Sequence, residues 1–411
     1  MLHMLFFTVL LFTCAQSQQI LVKDPEEQMN TPQIIQYWKY PVEEHQAVTK
    51  DGYILKMYRI PHGRSLNAAK LLSTKPVVFI QHGLLSSCVD WISNLPHESA
   101  PFIFADAGFD VWLGNFRGNT YGKQHLRLSP NSQEFWQFSW DQMAEYDLPA
   151  MVKMALNVSG ANHLYYMGHS EGTLTMFAKL STDKKFAKKI KHVFALGPVS
   201  KLGHIKGFFS YLAKLTSTVQ LMTSLFGEKE FLPQDKFLEL MAAFFCRQYV
   251  IQDMCKNILF MIAGPDSRQL NVTRLPVYLS HTPSGTSTRN MVHFGQMINS
   301  DKFQKYDFGS AFLNLYHYGR LTPPLYDVGK ITVPVSLFWS AEDWLADPQD
   351  VAEGLVSKLK TLFSSHFLQG FNHLDYMWGI NATEAIYNVI RDEIYNDIVY
   401  SADKDVVSPN S

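Results

Sequence analysis

The sequence predicts an α/β protein: a mostly parallel central sheet flanked by helices, interrupted once by a mainly helical insertion. Three observations carry this reading. Short apolar runs bounded by Gly, Asn or His recur at Val77 to Gln81, Phe109 to Leu113, Leu164 to Met167, Val193 to Leu196 and Val335 to Trp339, and continuous apolarity of that length marks strands buried on both faces. Helix-length segments such as Trp140 to Leu156 and Thr173 to Leu180 separate them, the order of a doubly covered parallel sheet. Between roughly Lys201 and Tyr326 the alternation gives way to helical patterns rich in Phe, Leu and Met, including Phe208 to Leu225 and Phe237 to Ala263.

Taken in order, the elements have local reasons. Met4 to Thr13 is an apolar run followed by the small residues Ala15 and Ser17, which reads as a secretory signal at residues 1–17, too short to span a bilayer. Thr31 before Pro32 reads as an N-cap and first-turn pair for a short helix, Gln33 to Trp38. A hairpin follows, with strands around Val48 and at Tyr53 to Ile60 joined through Lys50-Asp51-Gly52, where Gly52 can take the positive φ of the turn. After the buried strands and the insertion, Phe367 to Gln369 is a last short strand. The predicted organisation is therefore a first core part at residues 18–200, a cap and lid at 201–326, and a second core part at 327–411.

Composition narrows the function. A net charge of −1 with 46% apolar residues over 411 positions gives no basic surface for nucleic acid. A chain this long needs neither metal nor cofactor to stabilise its core. Sequons at Asn157, Asn271 and Asn381 agree with passage through the secretory pathway. Without the signal, Cys88, Cys246 and Cys255 remain, an odd number, for which one disulfide and one free thiol is the simplest arithmetic, with unpaired core cysteines as the alternative.

The chemistry-bearing residues fall at strand ends. Leu164 to Thr173 runs strand, then Gly168-His169-Ser170-Glu171-Gly172, then helix. That context puts a nucleophilic serine on a strained turn with its hydroxyl exposed, and the glycines let strand and helix approach it. A serine hydroxyl needs a base to take its proton and an acid to orient the base, both following it in the chain. Asp343 stands nearest the end of the strand Val335 to Trp339, whereas Asp347-Pro348 reads as a helix cap. His373 is the only histidine after the last strand. Two backbone N–H groups must then hold the oxyanion, and those of Glu171 and of Leu84, in the loop Gln81-His82-Gly83-Leu84-Leu85, are so placed.

Several motifs in order resemble the acid lipase family, the gastric and lysosomal lipases of the α/β-hydrolase fold. They are Tyr37-Trp38-Lys39-Tyr40-Pro41, Thr49 to Leu55, His82 to Leu85, Gly114 to Asn119, the Ser170 turn, Trp344 to Asp347 and Asn372 to Asp375. The resemblance implies Ser170, Asp343 and His373 as the triad, a cap with a mobile lid, and a disulfide between Cys246 and Cys255, a loop whose closure contributes roughly 2.5 kcal/mol in the chain-entropy account. It also implies neutral lipid at a lipid–water interface as substrate and an extracellular or lysosomal destination, with a monomer as the expected state and no transmembrane segment in the mature chain. Two departures stand out: Glu171 where the family has Gln, and Phe116 where it has Ser. An ionised Glu171 beside the oxyanion would oppose it, which predicts an acidic optimum. A catalytically inactive lipid-binding protein, or a peptidase or thioesterase of the same fold, remains the alternative.

Overall fold

The computed structural model describes residues 24–65, 75–207, 209–210, 213, 227, 229–231, 260, 262–265 and 267–407, with side chains to residue 400. The expected signal at 1–17, most of the helical stretches 208–225 and 237–263, and both Cys246 and Cys255 lie outside the described residues.

The chain begins with α1 (Thr31–Tyr37). Its cap is Asn30 rather than the expected Thr31: Asn30 and Gln33 exchange side-chain and backbone hydrogen bonds at 3.1 and 2.8 Å, the reciprocal box that satisfies two orphan donors. Thr31 is instead fully buried, its hydroxyl 3.3 Å from Cys88 Sγ. Strands β1 (Glu43–Val48) and β2 (Tyr53–Ile60) form the expected hairpin, turning through Gly52 at φ 103°.

The remaining strands of the main sheet are β3 (Val77–Gln81), β4 (Asp110–Leu113), β5 (Gln124–His125), β6 (Leu164–His169), β7 (Ile190–Leu196), β10 (Val335–Ser340) and β11 (Leu362–Leu368). Between β7 and β10, β8 (Glu230–Phe231) and β9 (Thr286–Ser287) pair separately. The order is β1-β2-β4-β3-β6-β7-β10-β11, with β5 beside β2. Every pairing from β4 to β11 is parallel.

Alternate residues of the central strands feed two cores. Val77, Phe79, Tyr166, Val193 and Leu337 face one, with α3 (Leu148–Ser159) and α4 (Glu171–Thr182) over them. Val78, Ile80, Met167, Phe194 and Phe338 face the other, beneath α2 (Ala100–Asp106) and α5 (Leu275–His281). Period-two burial on both faces explains why these strands read as continuous apolar runs. The last strand breaks that rule. It starts at Leu362, five residues before the expected Phe367, because an edge strand alternates in exposure and offers no continuous apolar run.

The expected helix from Trp140 to Leu156 is divided into a turn at Trp140–Gln142, a wide turn at Met143–Asp147 and α3. Pro149 lacks the N–H that an uninterrupted helix would donate to the carbonyl of residue 145. The segment between β7 and β10 further contains α6 (Thr288–Ser300) and α7 (Ala311–Tyr318), and the described chain closes with α8 (Asn388–Val407). No helix among the described residues is long and apolar enough to cross a membrane.

Candidate functional site

Ser170 sits between the end of β6 and the start of α4 at φ 52°, ψ −116°, a conformation that costs a non-glycine residue of order 1–3 kcal/mol. The turn is fastened on both sides. Its N–H donates to Leu196 O on β7 at 3.0 Å, and its carbonyl accepts from the N–H groups of Thr173 and Leu174 at 2.8 and 3.1 Å and from the Thr173 hydroxyl at 2.6 Å. A methyl group on Gly172 would lie 2.9 Å from His82 O and 3.0 Å from Gln81 O, so the loop after β3 presses directly on the serine turn. That loop carries Leu84, and Gly83 approaches so closely that a Cβ there would stand 3.0 Å from Ser170 Cβ.

The loops after β10 and β11 meet on the same edge. Asp343 is fully buried; its Oδ1 accepts from the N–H groups of Leu345 and Ala346 at 2.9 and 2.8 Å, and both its oxygens lie within 2.9 Å of His373 Nδ1. Asp347 behaves differently: it caps Pro348–Val351 by accepting from Gln349 N–H at 2.9 Å. His373 is held at its backbone too, donating its N–H to Ala263 O at 3.1 Å while its carbonyl faces His169 Nε2 at 2.8 Å. The His169 and His373 ring centres are 4.7 Å apart. With Nδ1 on the carboxylate, the neutral ring carries its lone pair on Nε2, and that atom is buried without a hydrogen-bond partner among the described residues.

Three supporting residues were not legible as such in the sequence. His82 Nδ1 meets Gly83 O at 2.9 Å, and its Nε2 lies 3.1 Å from both Phe116 N and Asn119 Nδ2. Those partners require a neutral ring protonated on Nδ1, and burial accordingly holds His82 down to about 4. Phe116, the departure from the family's Ser, supplies one of these donors and packs edge-on against the His82 ring. His169, also buried, is held well below the usual imidazole value by burial. For the first, the sequence marked only the loop Gln81-His82-Gly83-Leu84-Leu85 that carries Leu84, not the role of the His82 ring; nothing signalled the third, Asn290.

Asn290 on α6 donates its amide to Glu171 Oε1 at 2.6 Å and accepts from Trp140 N–H at 2.7 Å. Glu171 is therefore buried and fastened to a helix that lies 119 residues away in sequence. Burial raises its carboxyl from 4.5 to about 7, with Asn290 opposing the shift and the charge of Asp147 adding to it. Asp147 itself is tied to Arg117 at 2.6 Å, and that guanidinium also reaches Asp51.

Of the other expected residues, Cys88 is a buried free thiol, pushed up to about 12 by burial. Asn157 and Asn381 are exposed, while Asn271 is partly buried and caps a turn through Thr273 N–H at 3.2 Å.

A parallel sheet whose central strand ends in a strained serine, with an Asp–His pair in loops at the same edge, places the chain among the α/β-hydrolases. Residues 76–379 match the family described as alpha/beta hydrolase fold, and residues 31–95 match the partial alpha/beta-hydrolase lipase region. Lipase lipl-1 of Caenorhabditis elegans is 48% identical over 92% of this chain and 94% of its own. Bovine gastric triacylglycerol lipase is 46% identical over 90% and 92%, and human lysosomal acid lipase/cholesteryl ester hydrolase 44% over 89% and 91%. The chain belongs to the acid lipase family and is a serine hydrolase acting on ester bonds. An epoxide hydrolase of Vigna radiata, 16% identical, shares the fold with a TM-score of 0.50 over 86% of this chain and 98% of its own.

Proposed function

We propose that Ser170, His373 and Asp343 hydrolyse the carboxylic ester bonds of neutral lipids, triacylglycerols or cholesteryl esters, through an acyl-enzyme. The observation that carries this is the buried Asp343–His373 pair beside the strained serine. Ser170 Oγ attacks the ester carbonyl carbon and passes its proton to His373 Nε2; the oxyanion is held by the N–H groups of Leu84 and Glu171. Collapse expels the alcohol, which takes that proton. Water then attacks the acyl-serine by the same route and releases the fatty acid. Asp343 keeps Nδ1–H on its own side and stabilises the imidazolium.

The mainly helical segment 201–326 is the cap and lid over this site in the same reading, and its Cys246–Cys255 pair is the disulfide. Sugars on Asn157, Asn271 and Asn381 and an extracellular or lysosomal destination complete the proposal. Names of the relatives support a lipid ester over a peptide or thioester. Labelling by a serine-directed phosphonate, lost in S170A, with a panel of triacylglycerol, cholesteryl ester and short soluble esters, tests it. Absence of labelling would leave an inactive lipid-binding protein.

A further inference from the structure

Helix α7 carries its apolar side chains outward. Asn314 is its one buried residue, while Phe312 and Tyr316 are 76% and 79% exposed and Leu313 and Leu315 are exposed beside them. The polar residue is the anchor: Asn314 Oδ1 accepts from Phe308 N–H at 3.1 Å, and its amide donates to Asp307 at 2.9 Å. Ser310 caps the helix through Leu313 N–H at 3.2 Å, and Gly319 ends it at φ 65°. The chain then returns through Leu321 and Leu325, both more than 60% exposed, pinned by Lys305 N–H on Pro324 O and Tyr326 N–H on Phe303 O. Isolated apolar side chains on a surface need no explanation. Six within one short excursion, on a helix fixed by its polar face, do.

Charge and continuity point to one occupant. No Asp or Glu occurs from Ala311 to Tyr326, whereas Arg320 lies within it, so the margin complements an anionic surface. An eight-residue helix is about 12 Å long, so the six apolar side chains of the helix and its return form one continuous face. The His317 ring stacks on Phe308 at 3.7 Å and 8°. Phe308 in turn packs, with Leu84 of the loop beside Ser170, against the cluster holding Met291 and Tyr306. The outward patch is thus joined by side-chain contact to the loop that faces the nucleophile.

We propose that α7 and the return through Leu325 are the surface by which this enzyme docks on a neutral-lipid particle whose interface carries fatty-acid carboxylates, the product of its own reaction. The proposal rests on the ester-lipid reading above. Aromatic and leucine side chains enter the apolar layer, and Arg320 meets the carboxylates.

The test uses the full chain, flotation with a phosphatidylcholine-stabilised triolein emulsion with and without oleic acid, and turnover of a soluble short-chain ester. F312S/Y316S and, separately, L321S/L325S should each weaken binding to the emulsion at least tenfold, with kcat/KM on the soluble ester unchanged; a pair that loses soluble-ester turnover is set aside and the other decides. R320Q should weaken binding severalfold only when oleic acid is present. Unchanged flotation in both pairs overturns the proposal, as does a parent that sediments as a dimer and becomes a monomer in F312S/Y316S. Flotation decides the docking surface even if the parent fails to turn over the soluble ester, an outcome that would remove the ester-hydrolase reading alone.

Discussion

Helices α4 and α7 use similar residues to opposite ends. In α4 every residue from Glu171 to Ala178 is buried, and Phe177 is fully enclosed in the core cluster on that face of the sheet. In α7 a comparable run of Phe, Leu and Tyr faces solvent, and an asparagine faces inward. A helix buried all round has its position fixed by packing, and that is what a strained serine at its first turn requires. A helix held by side-chain hydrogen bonds from Asn314 and from the Tyr318 hydroxyl to Tyr306 O leaves its apolar surface free for something else. The comparison teaches that apolarity alone does not mark core in this chain: what matters is which side of the helix is fastened.

The comparison can be broken at several points. The largest effect is expected at the end of the enclosed helix: S170A or H373A should lower kcat by roughly 10⁴ to 10⁶ with the fold retained, and near-normal turnover of a soluble ester by either variant would sink the assigned roles. D343N should cost about 10⁴ in kcat by upsetting the histidine tautomer, whereas D347N, which can still cap its helix, should be mild; the reverse order would exchange the two aspartates. Thermal or denaturant unfolding addresses the helices themselves. Phe177→Ala should destabilise by about 3–5 kcal/mol, and Phe312→Ala should stay within about 0.5 kcal/mol; equal costs would show that α7 is covered in solution. N314L, which leaves Phe308 N–H and Asp307 without the amide, should lose about 1–3 kcal/mol despite its greater apolarity.

The smallest expected effect is in pH dependence. Because burial raises Glu171 from 4.5 to about 7, the fold favours its neutral form. The stability it contributes is complete below the ordinary carboxyl value and is withdrawn as pH rises through about 7. The neutral form is also the one that does not oppose an oxyanion at the adjacent N–H. E171Q keeps an acceptor for Asn290 and removes the titration. Its Tm and kcat/KM should therefore fall less than the parent's between about pH 6 and about pH 8. Superimposable profiles for the two proteins would take Glu171 out of the pH dependence, and a parent optimum above about pH 7.5 would contradict the acid reading.

What the sequence by itself determined was whatever depends on short range and on chain order. Strands β3, β4, β6, β7 and β10 were legible because residues buried on both faces leave an uninterrupted apolar run. The serine turn was legible because its glycines and flanking elements are contiguous, and Asp347 could be set apart because capping is a local device followed by proline. Tertiary structure decided the rest. Asn30 rather than Thr31 caps α1 because Thr31 is claimed by Cys88, 57 residues on. Edge position gave β11 its alternating exposure. Glu171 meets Asn290 rather than water, and the outward face of α7 is set by Asn314 turning in. Each of these depends on which distant groups compete for one buried hydrogen bond, and leaving such a group unpaired costs more than most local preferences contribute.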